Sequence, residues 1–98
     1  MAALEEKVRE KLERYRSLTG QALKEIAVLP GLSEKEAAVA ADYHSMAKNY
    51  FLDARHFEEK GDLATALAAY SYAHAWLDAG VRARLFDVGE DDKLFTLP

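Results

Sequence analysis

Apolar side chains recur along the chain at steps of three and four residues, and the places where that rhythm breaks divide it into three segments. In the first, Leu4, Val8, Leu12, Tyr15, Leu18, Ala22, Ile26 and Leu29 form one row, while Glu5, Lys7, Arg9, Glu10, Glu13 and Arg16 mostly occupy other faces. That is the signature of an amphipathic helix, predicted over residues 3–29. Glu5 with Arg9 and Glu10 with Arg14 are acid-before-base pairs one turn apart, the arrangement of a solvated face. Gly20 costs up to about 1 kcal/mol inside a helix, and so marks a bend or a close helix crossing.

The stretch "LPGLSEKEAA" ends the first rhythm. Pro30 lacks a backbone donor, Gly31 tolerates a positive φ, and Ser33 with Glu36 spells a capping box. A second helix is therefore predicted over 34–60, with Ala40, Tyr43, Ala47, Tyr50, Ala54 and Phe57 as its inner row. Small residues alternate there with rings, so a neighbouring backbone can approach at each alanine. Gly61 then supplies a stop and Asp62 an N-cap, which makes "EKGDL" a tight turn between antiparallel helices.

The third helix, predicted over 63–85, is apolar on two sides. Leu63, Leu67, Tyr70, Ala73, His74, Leu77 and Val81 gather on the expected core side. Ala68, Tyr72, Ala75, Trp76, Ala79 and Ala83 stand opposite with almost no charge among them. Two partner helices cover only one broad face of a third, so the second side calls for another cover. The candidates are the tail over 86–98, through Leu94, Phe95 and Leu97, and a second copy of the chain or another protein. The fold class expected is all-α, a single-domain up-down-up three-helix bundle over 1–98 with its tail packed on the third helix.

Composition narrows the function classes. With 13 basic and 17 acidic residues the net charge is −4, which disfavours nucleic acid as a partner. The absence of cysteine removes disulfides, thiol nucleophiles and thiolate metal sites. No apolar run reaches the roughly 20 residues of a membrane span, and the charged N-terminal stretch has no secretory core, so a cytoplasmic protein is expected.

Candidate chemistry is sparse. His74, Asp78 and Arg82 follow one another one turn apart, and pairing the last two helices about the Gly61 turn brings His44 to about the level of Asp78. Two histidines and a carboxylate suit a divalent metal. A core imidazole hydrogen-bonded to Asp78 or to a tyrosine explains His74 equally well. Nothing announces a nucleophile, a phosphate loop or a nucleotide-binding glycine signature, and no cofactor is called for. The leading expectation is a non-catalytic interaction module, partnered by a protein or by its own copies through Tyr72, Trp76, Ala79 and Ala83. The alternative is a small ligand- or metal-binding protein using His44, His74 and Asp78.

Residues 47–80 resemble a tetratricopeptide hairpin, with Gly61, Ala66, Tyr70 and Ala73 near consensus-like places, but the second and third copies a solenoid needs are missing. The hairpin also resembles the nucleotide-binding helical domains of prokaryotic toxin systems. It lacks their arginine four to six residues before a histidine, so that activity does not carry over. "YFLDARHFEEKGDLATALAAYSYAHAWLDAGVRARLFDV", followed by "LFTLP", resembles a small archaeal family of three-helix proteins, a domain of unknown function also found attached to cytidylyltransferase-like domains. That resemblance implies a three-helix bundle, an accessory role and no active-site residues to transfer.

Overall fold

The structure, a computed structural model, describes residues 2–89. It is all-α. Helices α1 (Ala2–Glu25), α2 (Glu34–Glu59) and α3 (Leu63–Arg82) are accompanied by two short strands, β1 (Ala27–Val28) after α1 and β2 (Phe86–Asp87) after α3. The strands pair antiparallel, Ala27 with Asp87 and Val28 with Phe86. This places the ends of α1 and α3 together and leaves α2 running the other way, the expected up-down-up order.

Each interior helix start is capped by the residue the sequence offers. The Ser33 hydroxyl accepts from the Glu36 backbone N–H at 3.1 Å, and the Ser33 N–H donates to the Glu36 carboxylate at 3.0 Å. Those bonds hold the Glu36 carboxyl below its ordinary pKa, the backbone bond contributing most. At the turn into α3, Asp62 Oδ1 accepts from the Thr65 N–H at 3.2 Å. Ahead of it, Gly61 sits at φ +83°, its N–H on the Glu58 carbonyl and the Asp62 N–H on the Phe57 carbonyl. This is a Schellman ending, and it needs a residue that accepts left-handed geometry at the Gly61 position.

The α2–α3 hairpin is built on small residues. Ala40, Ala47 and Ala54 on α2 are fully buried, as are Ala66 and Ala73 on α3, with Gly80 buried as well. On each helix these positions are seven apart, and the two sets are symmetric about Lys60 in sequence. Antiparallel helices joined by a tight turn therefore set them level with one another, which lets the backbones close in. Leu77 and Tyr70, both fully buried, fill the space toward α1 beside Leu12, Thr19 and Ala22.

α1 packs chiefly on α3 and touches α2 little. Its apolar row becomes core only at Leu12; from Ala2 to Lys11 no side chain is buried, and Leu4 is 63 % exposed. The row begun at Leu4 thus continues past the end of the hairpin, where no neighbouring helix meets it among the described residues.

Two helix boundaries differ from those read in the sequence. α1 stops at Glu25 although Ile26 and Leu29 keep its periodicity to 29. Pro30 disfavours helical geometry at Leu29, and Ala27 and Val28 are taken up instead by β2, with the Leu29 N–H donating to the Leu85 carbonyl at 2.9 Å. α3 stops at Arg82 rather than 85. Arg84 takes a left-handed φ of 60°, its N–H on the Val81 carbonyl and the Leu85 N–H on the Gly80 carbonyl, a second Schellman ending. Leu85, expected as the last residue of the third helix, and Phe86, expected as the first of the tail, are buried at 5 % and 4 % exposure. The Phe86 ring lies against Gly80, where a Cβ would overlap it. Leu94, Phe95 and Leu97, the part of the tail expected to dock, lie outside the described residues.

Candidate functional site

The second side of α3 is partly covered by α2. Tyr43 and Tyr50, read as interior, stand instead at the edge of the α2–α3 seam and reach around it. The Tyr43 ring meets Trp76 edge-on with centroids 5.0 Å apart, and Tyr50 tilts against Tyr72 at 5.6 Å. Trp76 is half-buried as a result. Tyr72 remains 59 % exposed. With Ala75, Trp76 and Ala79 it lines a shallow apolar hollow of about 260 Å³. Ala83 is exposed as the C-cap residue of α3 and does not line that hollow.

The polar residues singled out in the sequence are not gathered in one place. His74, 8 % exposed, faces α1: its Nδ1 lies 3.1 Å from the hydroxyl of Thr19, which is fully buried. Its Nε2 lies 3.7 Å from Asp78 Oδ1. A carboxylate opposite Nε2 favours a proton there, leaving Nδ1 to accept from the Thr19 O–H. His74 therefore ties α1 to α3, with Thr19 in the role expected of a tyrosine. His44 lines a different region, between α1 and α2, that includes neither His74 nor Asp78. Among the described residues no group of three or more His, Asp or Glu side chains is placed to hold a metal ion.

A second polar arrangement, part-buried, spans all three helices. The fully buried Tyr70 of α3 donates its hydroxyl to Glu58 Oε1 of α2 at 2.8 Å, and Arg16 of α1 donates to the other Glu58 oxygen. Burial first, and then the bond to Glu58, push the Tyr70 hydroxyl pKa well above its ordinary value. Tyr70 is thus held protonated as a structural donor, with the Phe51 ring packed edge-on at 5.3 Å.

Because α1 and α2 both lean on α3, a groove of about 820 Å³ opens between them. Gly20, Leu23, Phe51 and Leu52 give it apolar surface; Arg16, Lys24, Lys48 and Arg55 stand along it with His44, against the single acid Glu25. The Phe51 ring lies 3.4 Å from where a Gly20 side chain would begin, so it packs close to the backbone of α1, which continues as helix to Glu25. Among the described residues Lys24, Lys48 and Arg55 have no salt-bridge partner. In a chain of net charge −4 this is a local excess of positive charge. Its trace in the sequence is the stripe His44, Lys48, Phe51 and Arg55, at steps of four, three and four beside the alanine seam. A reading based on the interior row alone passes over it.

Residues 14–86 match the family model described as Protein of unknown function (DUF357). The chain belongs to this family. The DUF357 match takes in α1 from residue 14, the hairpin and the strand pair up to Phe86, and leaves outside it the start of α1, the buried Leu12 included. Its description assigns no activity, so DUF357 membership transfers no catalytic residue. No curated protein and no solved structure matches the chain.

Proposed function

We propose that this protein is a non-catalytic interaction module that self-associates through the second side of α3. The observation that carries the reading is the exposed Tyr72 beside the apolar hollow it forms with Ala75, Trp76 and Ala79. Residues 63–77 contain no Asp, Glu, Lys or Arg. A patch that meets its own copy across a two-fold axis repels itself if it carries charge of one sign, and this uncharged stretch avoids that within an acidic chain. The polar side chains of the core support a non-catalytic role, since His74 and Tyr70 hold helices together. No helix among the described residues is long and apolar enough to cross a membrane. A cytoplasmic setting, and the archaeal accessory role beside a cytidylyltransferase-like domain implied by the resemblance of residues 50–88, belong to the same reading.

Tyr72→Glu is the variant to use. Both rings touch α2, Trp76 at Tyr43 and Tyr72 at Tyr50, but Trp76 is half-buried and Tyr72 is 59 % exposed, so changing Tyr72 disturbs the hairpin less. Sedimentation velocity over a wide concentration range should show a dimer for the parent chain and a monomer for Tyr72→Glu at unchanged helicity. A parent chain that stays monomeric at the highest concentration would refute self-association.

A further inference from the structure

We propose that the groove between α1 and α2 is a peptide-binding site for a segment that is acidic and then apolar, and that its occupant is residues 90–98 of the same chain. Three features converge. The first is charge: among the described residues Lys24 and Lys48 have no salt-bridge partner along the groove, and the sequence after Gly89 opens with Glu90, Asp91 and Asp92. The second is the apolar surface of Leu23, Phe51 and the half-exposed Leu52, which matches Leu94, Phe95 and Leu97 in kind. An amphipathic segment binds by burying apolar side chains while its charges meet opposite charge at the rim.

The third feature is the point of departure. A side chain built at Gly89 would come within 3.5 Å of the Glu25 carbonyl oxygen, so the chain leaves the strand pair beside Glu25, at the α1 end of the groove. There the Glu25 Oε2 atom is buried with no hydrogen-bond partner among the described residues. A backbone N–H or the Lys93 ammonium of the following segment would satisfy it. The nine residues span up to about 30 Å when extended, whereas the stretch of α1 from Glu25 back to Arg16 is about 14 Å at helical rise. Reach is ample. With the segment in this groove the outer side of α3 stays uncovered by the tail, so the site goes beyond the self-association reading and does not depend on it.

The test exploits the absence of cysteine. In the full chain, Thr96→Cys carries a single nitroxide label, and amide signals of the isotopically labelled protein report its neighbours. Broadening is expected at Gly20, Lys24, Lys48 and Phe51 and absent at Tyr72, Ala75 and Ala79. It should be lost in Lys24→Glu/Lys48→Glu at unchanged helicity, and in high salt. Broadening confined to the outer side of α3, or no broadening anywhere, would overturn the assignment. So would broadening only when labelled chains are mixed with separate spin-labelled chains, because the occupant would then be a second copy.

Discussion

The two ends of the bundle solve one problem with unlike materials. At one end α2 turns into α3 through Gly61; at the other α3 turns into β2 through Arg84. Both turns are Schellman endings with the same pair of backbone hydrogen bonds and one left-handed residue. The first is followed by an N-cap and another helix, and a polar chain of Arg16, Glu58 and Tyr70 braces it. The second is followed by an extended pair, and an aromatic ring set on a glycine braces it. The same backbone ending thus leads to a helix or to a strand according to what comes next: Asp62 can cap, whereas Leu85 and Phe86 are apolar and fold back onto the core.

The comparison predicts that the far end is the more fragile to side-chain truncation. Phe86→Ala removes a buried ring and leaves Gly80 facing an empty space, at an expected cost of about 3–5 kcal/mol in chemical denaturation. It should also expose the Ala27 and Val28 amides to hydrogen exchange while those of the α2–α3 turn stay protected. Equal loss of protection at both ends would show that the strand pair and the turn are one cooperative unit.

At the turn end the largest effect should come from the buried hydroxyl. Tyr70→Phe keeps the ring packed on Phe51 but removes the donor to the Glu58 carboxylate, a bond to a charged group expected to cost about 1.5–3 kcal/mol. The raised Tyr70 pKa adds a pH signature. A phenol whose folded pKa lies above its unfolded value of 10.0 contributes stability fully below that pH and loses it as the pH climbs toward the folded pKa. Parent and Tyr70→Phe stabilities should therefore converge above pH 10; a constant gap would mean that the hydroxyl is not held by Glu58.

How much of this the sequence disclosed depended on whether the cue was local. Ser33 with Glu36, and Gly61 with Asp62, are short signals whose physics is complete within four residues, and the structure places both as expected. The alanine row of α2 was legible because its period is that of a helix. The end of α1 was not, since Ile26 and Leu29 satisfy helical spacing whether or not the helix continues; Pro30 acts only on Leu29, and Ala27 and Val28 are taken up by a strand some sixty residues away. Periodicity also placed His74 inward without revealing that Thr19 would meet it. The α1–α2 groove depends on how far two helices splay, which no spacing within either helix encodes. His44 fell in that groove, apart from His74 and Asp78, for the same reason.

The two left-handed residues themselves give the smaller, sharper contrasts. Gly61→Ala puts a Cβ where φ is +83°, with nothing within 4 Å to clash, so its effect isolates backbone strain. That should cost about 1–2 kcal/mol.

Arg84→Gly is the converse and should stabilise. Arg84 bears that left-handed strain at φ 60° and is exposed, so little packing is lost with its side chain. Against the strain released stands the greater freedom glycine gives the unfolded chain, and the net gain expected is about 0.5–1 kcal/mol. Thermal melts of Gly61→Ala and Arg84→Gly should move in opposite directions. If Arg84→Gly instead lowers the melting temperature, the arginine side chain holds this end through a contact of its own, and the two turns are not the same backbone device on different residues.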